Sequence, residues 1–225
     1  MVPMPKHELR YTQDLTRLFE KGRIKTYPKN QLIHYQGDPL SNIYLVRRGL
    51  LKAYTILDSG DTRTILILAR NDLFPLVYTP SMDWKNYKIQ YFYQSMTDLE
   101  LATLPAGQFK NEIDSNPELM KSYASALAAS NHAISAQLEI MKSKKAIDKL
   151  SLLLPYLINK MGSEMKVGYY QLKVKLSHQE IADLSGVTRE TTTTLMKQLE
   201  KKGVIAQNHG KLRINAKILH RTAKK

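Results

Sequence analysis

Arg189 and Glu190 stand side by side at the head of RETTTTLMKQLEKKGVI, directly after Gly186-Val187-Thr188. An arginine fork offers two parallel donors to O6 and N7 of guanine. A neighbouring carboxylate accepts from the amino group of cytosine, and each such pair discriminates by ~1–3 kcal/mol. Thr193 and Thr194 fall one turn further along the same helical face, where a hydroxyl can bond a base edge or a methyl can touch thymine. The chemistry on offer is the reading of DNA base edges. Charges on helices are more often solvated surface pairs, so the weight of this reading comes from what surrounds them.

Upstream, Ser177 and Glu180 form an S-x-x-E capping box, which predicts a helix starting at Ser177 with Ile181, Ala182 and Leu184 inward. Gly186 supplies the positive φ of a tight turn, Val187 fills the gap between helices, and Thr188 caps a second helix with Leu195 and Leu199 on its buried side. Ala182, Gly186 and Leu195 thus have the spacing of a helix-turn-helix. Gly203–Ala206 and Lys211–Ile214 flank Asn208-His209-Gly210 as a two-stranded wing. Ser177, Gln179, Thr188, Thr191, His209 and Lys211 are the expected phosphate contacts, which set position and affinity rather than sequence preference.

The charge distribution agrees. Residues 145–225 hold 16 Lys and Arg against 6 Asp and Glu, whereas residues 1–144 hold 18 against 14, so most of the net +14 lies where a polyanion would be held. The chain has no cysteine, which excludes disulfides, thiolate zinc sites and cysteine-ligated clusters. The longest apolar stretch, around Leu150 to Ile158, is interrupted by Ser151 and Pro155 and is too short to span a membrane. The amino terminus lacks an export signal, so a cytoplasmic protein with no membrane partner is expected.

From Ile24 to about Leu104, short β-branched and aromatic runs alternate with turn residues at Gly37-Asp38-Pro39, Gly49, Ser59-Gly60-Asp61 and Asn71-Asp72, which reads as an antiparallel sandwich or roll. Asn116-Pro117 then caps a long helix running to about Ser143. Met120, Tyr123, Leu127, Ile134, Leu138 and Met141 form its apolar stripe, with Ala124, Ala128 and Ala133 permitting close approach. Pairing with a second copy is the expected use of that stripe, against the alternative of packing on the chain's own sheet. A further helix containing Pro155 ends at Gly162, read as a C′ glycine. The predicted fold class is α+β: a jelly-roll-like antiparallel β-roll over 1–115, a dimerisation helix over 116–144 and a winged helix-turn-helix over 145–225.

The segments LIHYQGDPLSNIYLVRRGLLKAY, FKNEIDSNPELM and QEIADLSGVTRETTTTLMKQLEKKGVI, followed by HGK, resemble the Crp/Fnr family of bacterial regulators across nearly the whole chain. The resemblance implies a homodimer on a pseudo-palindromic operator, with Arg189 and Glu190 reading a G and a C and with RNA polymerase as a partner. Two positions depart from the family's pattern. Thr194 stands where cyclic-AMP-binding members carry a third reading arginine, and Thr192 replaces a β-branched apolar residue, so that its hydroxyl needs a partner such as a carbonyl one turn earlier.

In the sensor, the Gly-Glu and Arg-Ser pairs with which family members hold a cyclic nucleotide correspond to Pro75 and Leu76 and to Ile89-Gln90. No cation remains for a buried phosphate, so cyclic AMP is not expected to bind. His34 and His132 are the histidines considered as haem ligands, and both read as ordinary polar side chains, so no cofactor is expected. Tyr78, Trp84, Tyr87, Tyr91 and Tyr93, with Ile134 and Ser135 of the long helix, suggest instead a pocket for a small apolar or aromatic effector, or a pocket already filled by its own rings. An enzyme of the cupin type would need clustered metal ligands, whereas residues 24–104 hold a single histidine, His34, so neither a metal nor a catalytic site is expected. A non-specific basic architectural protein remains the rival, distinguished by equal affinity for any DNA.

Overall fold

The computed structural model describes residues 7–75 and 86–222, and side chains over 13–75 and 86–219. The chain forms two compact units, one running up to Thr55 and resuming over Ile65–Ala133, the other made of Ile56–Thr64 and the chain from Ile134 onward.

The first unit opens with α1 (His7–Glu20), followed by β1 (Arg23–Tyr27), β2 (Leu32–His34), β3 (Asn42–Arg48), β4 (Leu51–Ile56), β5 (Thr62–Leu68), β6 (Leu73–Phe74), β7 (Phe92–Ser95) and β8 (Leu99–Pro105), the tip between β4 and β5, Ile56–Thr64, counting with the second unit. Two antiparallel sheets result, ordered β1-β8-β3-β6 and β2-β7-β4-β5. The period of two is visible in β3: Ile43 and Leu45 join one cluster with helical residues, while Tyr44 and Val46 join the cluster shared with the second sheet. In β8, Ala102 and Leu104 likewise face the helices, and Leu99 and Leu101 face the roll interior. Gly49 is the turn residue that cannot be replaced cheaply: its φ is +89°, and a Cβ there would lie 2.3 Å from the Asp98 carbonyl oxygen.

Two helices close this unit. α2 (Ala106–Ser115) buries Ala106, Phe109 and Ile113, and α3 (Pro117–Lys142) begins at the predicted cap, with Asn116 Oδ1 accepting from the backbone N–H groups of Glu118 and Leu119 at 3.0 and 3.3 Å. The stripe on α3 divides. Tyr123, predicted on the pairing face, is 2% exposed and stands edge-on to Phe109 in the chain's own core, and Met120 and Leu127 pack partly against the same cluster. The sheet needs an apolar cover, and these residues provide it together with Leu15, Leu18 and Phe19 of α1, a helix the sequence reading missed. Ala133 also packs inward, against the roll cluster. Ile134 and Leu138 remain outside at 41% and 52% exposure.

The second unit takes up the last turns of α3, then α4 (Ala146–Met161), β9 (Gly162–Lys166), β10 (Tyr169–Leu172), α5 (His178–Ser185), α6 (Arg189–Lys201), β11 (Ile205–Asn208), β12 (Lys211–Asn215) and α7 (Ala216–Thr222). The wing hairpin β11–β12 extends into a four-stranded sheet, β11-β12-β10-β9, whose second hairpin had no strong sequence signal. α4 buries Leu150, Leu153, Leu154, Leu157, Ile158 and Met161. Gly162 is not the left-handed C′ glycine predicted, for its φ and ψ are −78° and 147°, extended backbone that begins β9. Glycine is required there because a Cβ would meet the Ile158 carbonyl oxygen at 2.5 Å. Among the described residues, no helix is long and apolar enough to cross a membrane.

Candidate nucleic-acid interface

The helix pair α5–α6 is built by local capping. Ser177 Oγ accepts from the Glu180 N–H at 3.1 Å, while Glu180 Oε2 accepts from the Ser177 N–H at 2.6 Å, completing the predicted box. Gly186 ends α5 in the left-handed region with φ 68°, and its N–H donates to Ala182 O at 2.8 Å. Thr188 Oγ1 then accepts from the Thr191 N–H at 3.3 Å and opens α6. Ile181, Ala182 and Leu184 are buried as expected. On α6 the buried ridge is Thr192, Met196 and Leu199, spaced four and three residues apart. Leu195, predicted inward, is only half-buried because it lies one residue off that ridge.

Arg189 and Glu190 are the first two residues of α6, and both are exposed. Thr194 is exposed too, its hydroxyl donating to Glu190 O at 3.1 Å. Thr193 is half-buried and doubly engaged, donating to Arg189 O at 2.9 Å and standing 2.9 Å from His178 Nδ1. With its hydroxyl engaged by both neighbours, Thr193 keeps its methyl as the freer recognition group. His178, missed in the sequence reading, thereby ties the first turn of α5 to the first turn of α6. A polar residue just past an N-cap was the signal. Thr192 Oγ1, at 0% residue exposure, has no hydrogen-bond partner, so the carbonyl expected to satisfy it does not. The next two threonines, Thr193 and Thr194, do make that bond to the preceding turn.

The expected phosphate contacts form two groups. Ser177, Thr188 and Thr191 are exposed at the helix starts, where N–H groups and the positive helix end favour an anion. Gln179 is exposed as a residue, but its Nε2 already donates to Asp183 Oδ1 at 2.7 Å within the same helix. The second group is the wing. His209 and Gly210, with φ 50° and 74°, make its turn between Asn208 and Lys211, which pair across the hairpin. His209 is exposed and Lys211 half-buried. The end of the Lys175 side chain reaches this turn, within about 3.1 Å of where a Cβ on Gly210 would stand, adding a cation that the motif did not point to.

Residues 24–116 match the cyclic nucleotide-binding domain model, and residues 149–217 match the Crp-like helix-turn-helix domain model. The chain belongs to the Crp/Fnr family of transcription regulators. Among its relatives, the global nitrogen regulator of Nostoc sp. is 25% identical over 193 residues, covering 85% of each chain. The HTH-type transcriptional regulator ArcR of Staphylococcus epidermidis is 22% identical over 185 residues, covering 82% of this chain and 78% of that one. The solved structure of FixK2 from Bradyrhizobium japonicum superposes with a TM-score of 0.74 at 15% identity, covering 89% of this chain and 96% of that one. A Crp/Fnr-family regulator from Thermus thermophilus gives 0.69 at 23%, covering 90% and 99%. This Crp/Fnr protein is a DNA-binding transcription regulator, and its relatives are regulators rather than enzymes.

In its roll, Tyr78 and Trp84 lie outside the described residues. Tyr93 is 4% exposed and stacks on Phe74, which stacks on Tyr44, with centroids 5.0 and 4.9 Å apart. Tyr91 packs partly against this cluster. His34 stands edge-on to Tyr44 at 5.2 Å. His34 Nε2 and Tyr87 Oη are buried without a hydrogen-bond partner. Burial pushes the Tyr44 and Tyr87 phenols up to about 12 and raises Tyr93 as well. It also lowers His34 against the opposing pull of Asp38, whose carboxylate is 3.5 Å from Nδ1. Ile134 and Ser135 belong to the second unit and are exposed.

Proposed function

We propose that this Crp/Fnr protein binds, as a homodimer in the cytoplasm, a pseudo-palindromic operator whose half-sites are about one helical turn, roughly 34 Å, apart. Arg189 and Glu190 read a G and a C in each half-site, and Thr193 and Thr194 add contacts further along α6. Ser177, Gln179, Thr188, Thr191, His209 and Lys211 hold phosphates, Gln179 by releasing its bond to Asp183. The observation that carries this reading is the pair of adjacent, exposed charged side chains opening a helix that is capped at Thr188 and anchored through Thr192, Met196 and Leu199. The division of labour is a sensor over 1–115, a pairing helix over 116–144 and a DNA-binding domain over 145–225, with RNA polymerase as the partner on promoter DNA.

Pairing through α3 is supported by Ile134 and Leu138, large apolar side chains left exposed on one helix face; Met141, next on the stripe, is half-buried beside Arg63. In the roll, Pro75 stands near the place of the ribose-binding pair and the fully buried Ile89 near that of the phosphate-binding pair, where a cyclic nucleotide would need polar and cationic partners, which favours a small uncharged effector or none. The stacked Tyr44, Phe74 and Tyr93 rings favour the second alternative, a regulator whose roll is already filled. Selection of bound sequences from a random DNA pool tests the main reading. A two-fold related motif with a G·C step in each half is expected, and recovery of unrelated sequences at equal affinity would defeat it.

A further inference from the structure

Three consecutive residues at the end of the β4–β5 hairpin meet three points of the helix-turn-helix within the second unit. Thr62 Oγ1 donates to Asp183 Oδ2 at 2.8 Å. Arg63 lies over the inter-helix turn, its Nη1 3.7 Å from Met141 Sδ and only 1.9 Å from where a Cβ on Gly186 would stand. Thr64 O accepts from Gln137 Nε2 at 3.3 Å, and the same amide group donates to Leu184 O of α5.

The chemistry of these groups is unusual for a packing contact. Asp183 is 7% exposed on the inner face of α5, where a carboxylate is costly unless donors surround it. Thr62 and Gln179 supply those donors, one to each carboxylate oxygen. Gln137 is 4% exposed, both its bonds use the amide nitrogen, and its Oε1 is buried without a partner. A leucine would fill that space without the orphaned oxygen, so what the position gains from glutamine is the pair of directed bonds. Such bonds hold one geometry and weaken quickly when it shifts, unlike apolar contacts. α6 follows α5, because Gly186 and Val187 both bond back to Ala182 O.

Resting on the DNA-reading role of α6, the geometry points to Thr62, Arg63 and Gln137 as positioning residues for that helix, acting through Asp183, Gly186 and Leu184. The tip of the β4–β5 hairpin, itself part of the second unit, thereby holds the helix pair that presents Arg189 and Glu190.

The test uses the full chain, with Thr62→Val and Gln137→Met, both close in shape to the originals, and with Thr62→Ser as the conservative control. Operator and random-DNA affinities are measured by fluorescence anisotropy on a sequence selected by the wild-type protein, and backbone hydrogen exchange is followed over α5 and α6. Each disruptive variant is expected to weaken operator binding about tenfold, or ~1.4 kcal/mol. Random-DNA affinity stays unchanged, exchange in α5 quickens, and Thr62→Ser restores both properties. Faster exchange with unaltered operator affinity would reduce the contact to structural glue, and unaltered exchange would remove the lock altogether. A wild-type protein that prefers no sequence would overturn the DNA-reading role itself, and with it this assignment.

Discussion

The helix-turn-helix and the roll interior satisfy their polar groups in different ways. Between Ser177 and Thr194, most hydroxyls and N–H groups at the helix starts find partners three or four residues away, as in Ser177 with Glu180, Thr188 with Thr191 and Thr194 with Glu190, the buried Thr192 hydroxyl being the exception. In the roll, Gln31 and Ser95 meet across 64 positions, Lys29 and Asp98 across 69, and His34 Nε2 and Tyr87 Oη meet nothing. The reading end is therefore specified locally and the roll by its topology. A locally specified element suffers most from changes to its own turn, whereas the roll responds to changes in burial and charge.

The largest effect is expected at the turn. Gly186→Ala would force a side chain into φ 68° and toward the Arg63 guanidinium, destabilising the fold by about 2–3 kcal/mol. In an Arg63→Ala background most of the steric part disappears, leaving the Met141 sulfur at 2.9 Å and about 1 kcal/mol of left-handed cost, which thermal unfolding of the wild type, the two single variants and the double variant separates. An equal loss in both backgrounds would show that Arg63 does not press on the turn. Next is Ser177→Ala, which removes half of the capping box and should cost ~1 kcal/mol in denaturant titrations. Ser177→Asp, which can cap in the same way, should recover most of it.

Thr192→Val has the opposite sign. It keeps the shape and deletes a fully buried hydroxyl without a partner, so unfolding should become harder by up to ~1 kcal/mol. A destabilised variant would mean that the hydroxyl does have a partner in solution. The smallest effect belongs to the roll. His34 prefers its neutral form when buried, so its folded pKa lies below the ordinary 6.5. As pH falls through 6.5 the unfolded chain takes up a proton first, and stability present above that pH is progressively lost toward the folded pKa. His34→Phe should flatten this acid slope below pH 6.5, as read by unfolding at a series of pH values. An unchanged slope would assign the titration to another group.

The same contrast explains what was legible beforehand. The caps at Ser177, Thr188 and Asn116 and the turn at Gly186 are short-range signals, and each stands where the residue types place it. Strand runs in the roll were readable from their period. The division of the α3 stripe was not, because Tyr123 and Ile134 carry the same helical signal, and only the position of the sheet decides that one is buried and the other exposed. The lock at Thr62, Gln137 and Asp183 spans 121 positions between the hydroxyl and the carboxylate and leaves no local pattern. Gly162 misled for a related reason: glycine after a helix suggests a left-handed cap, whereas here it relieves a clash with Ile158.

The central claim is that Arg189 reads a guanine. Competition binding would compare the selected operator with the same operator carrying adenine in place of that guanine, for wild-type protein and for Arg189→Ala. The wild-type protein is expected to prefer guanine by about 1–3 kcal/mol and Arg189→Ala to lose that preference while still binding DNA. An undiminished preference in Arg189→Ala would contradict the account.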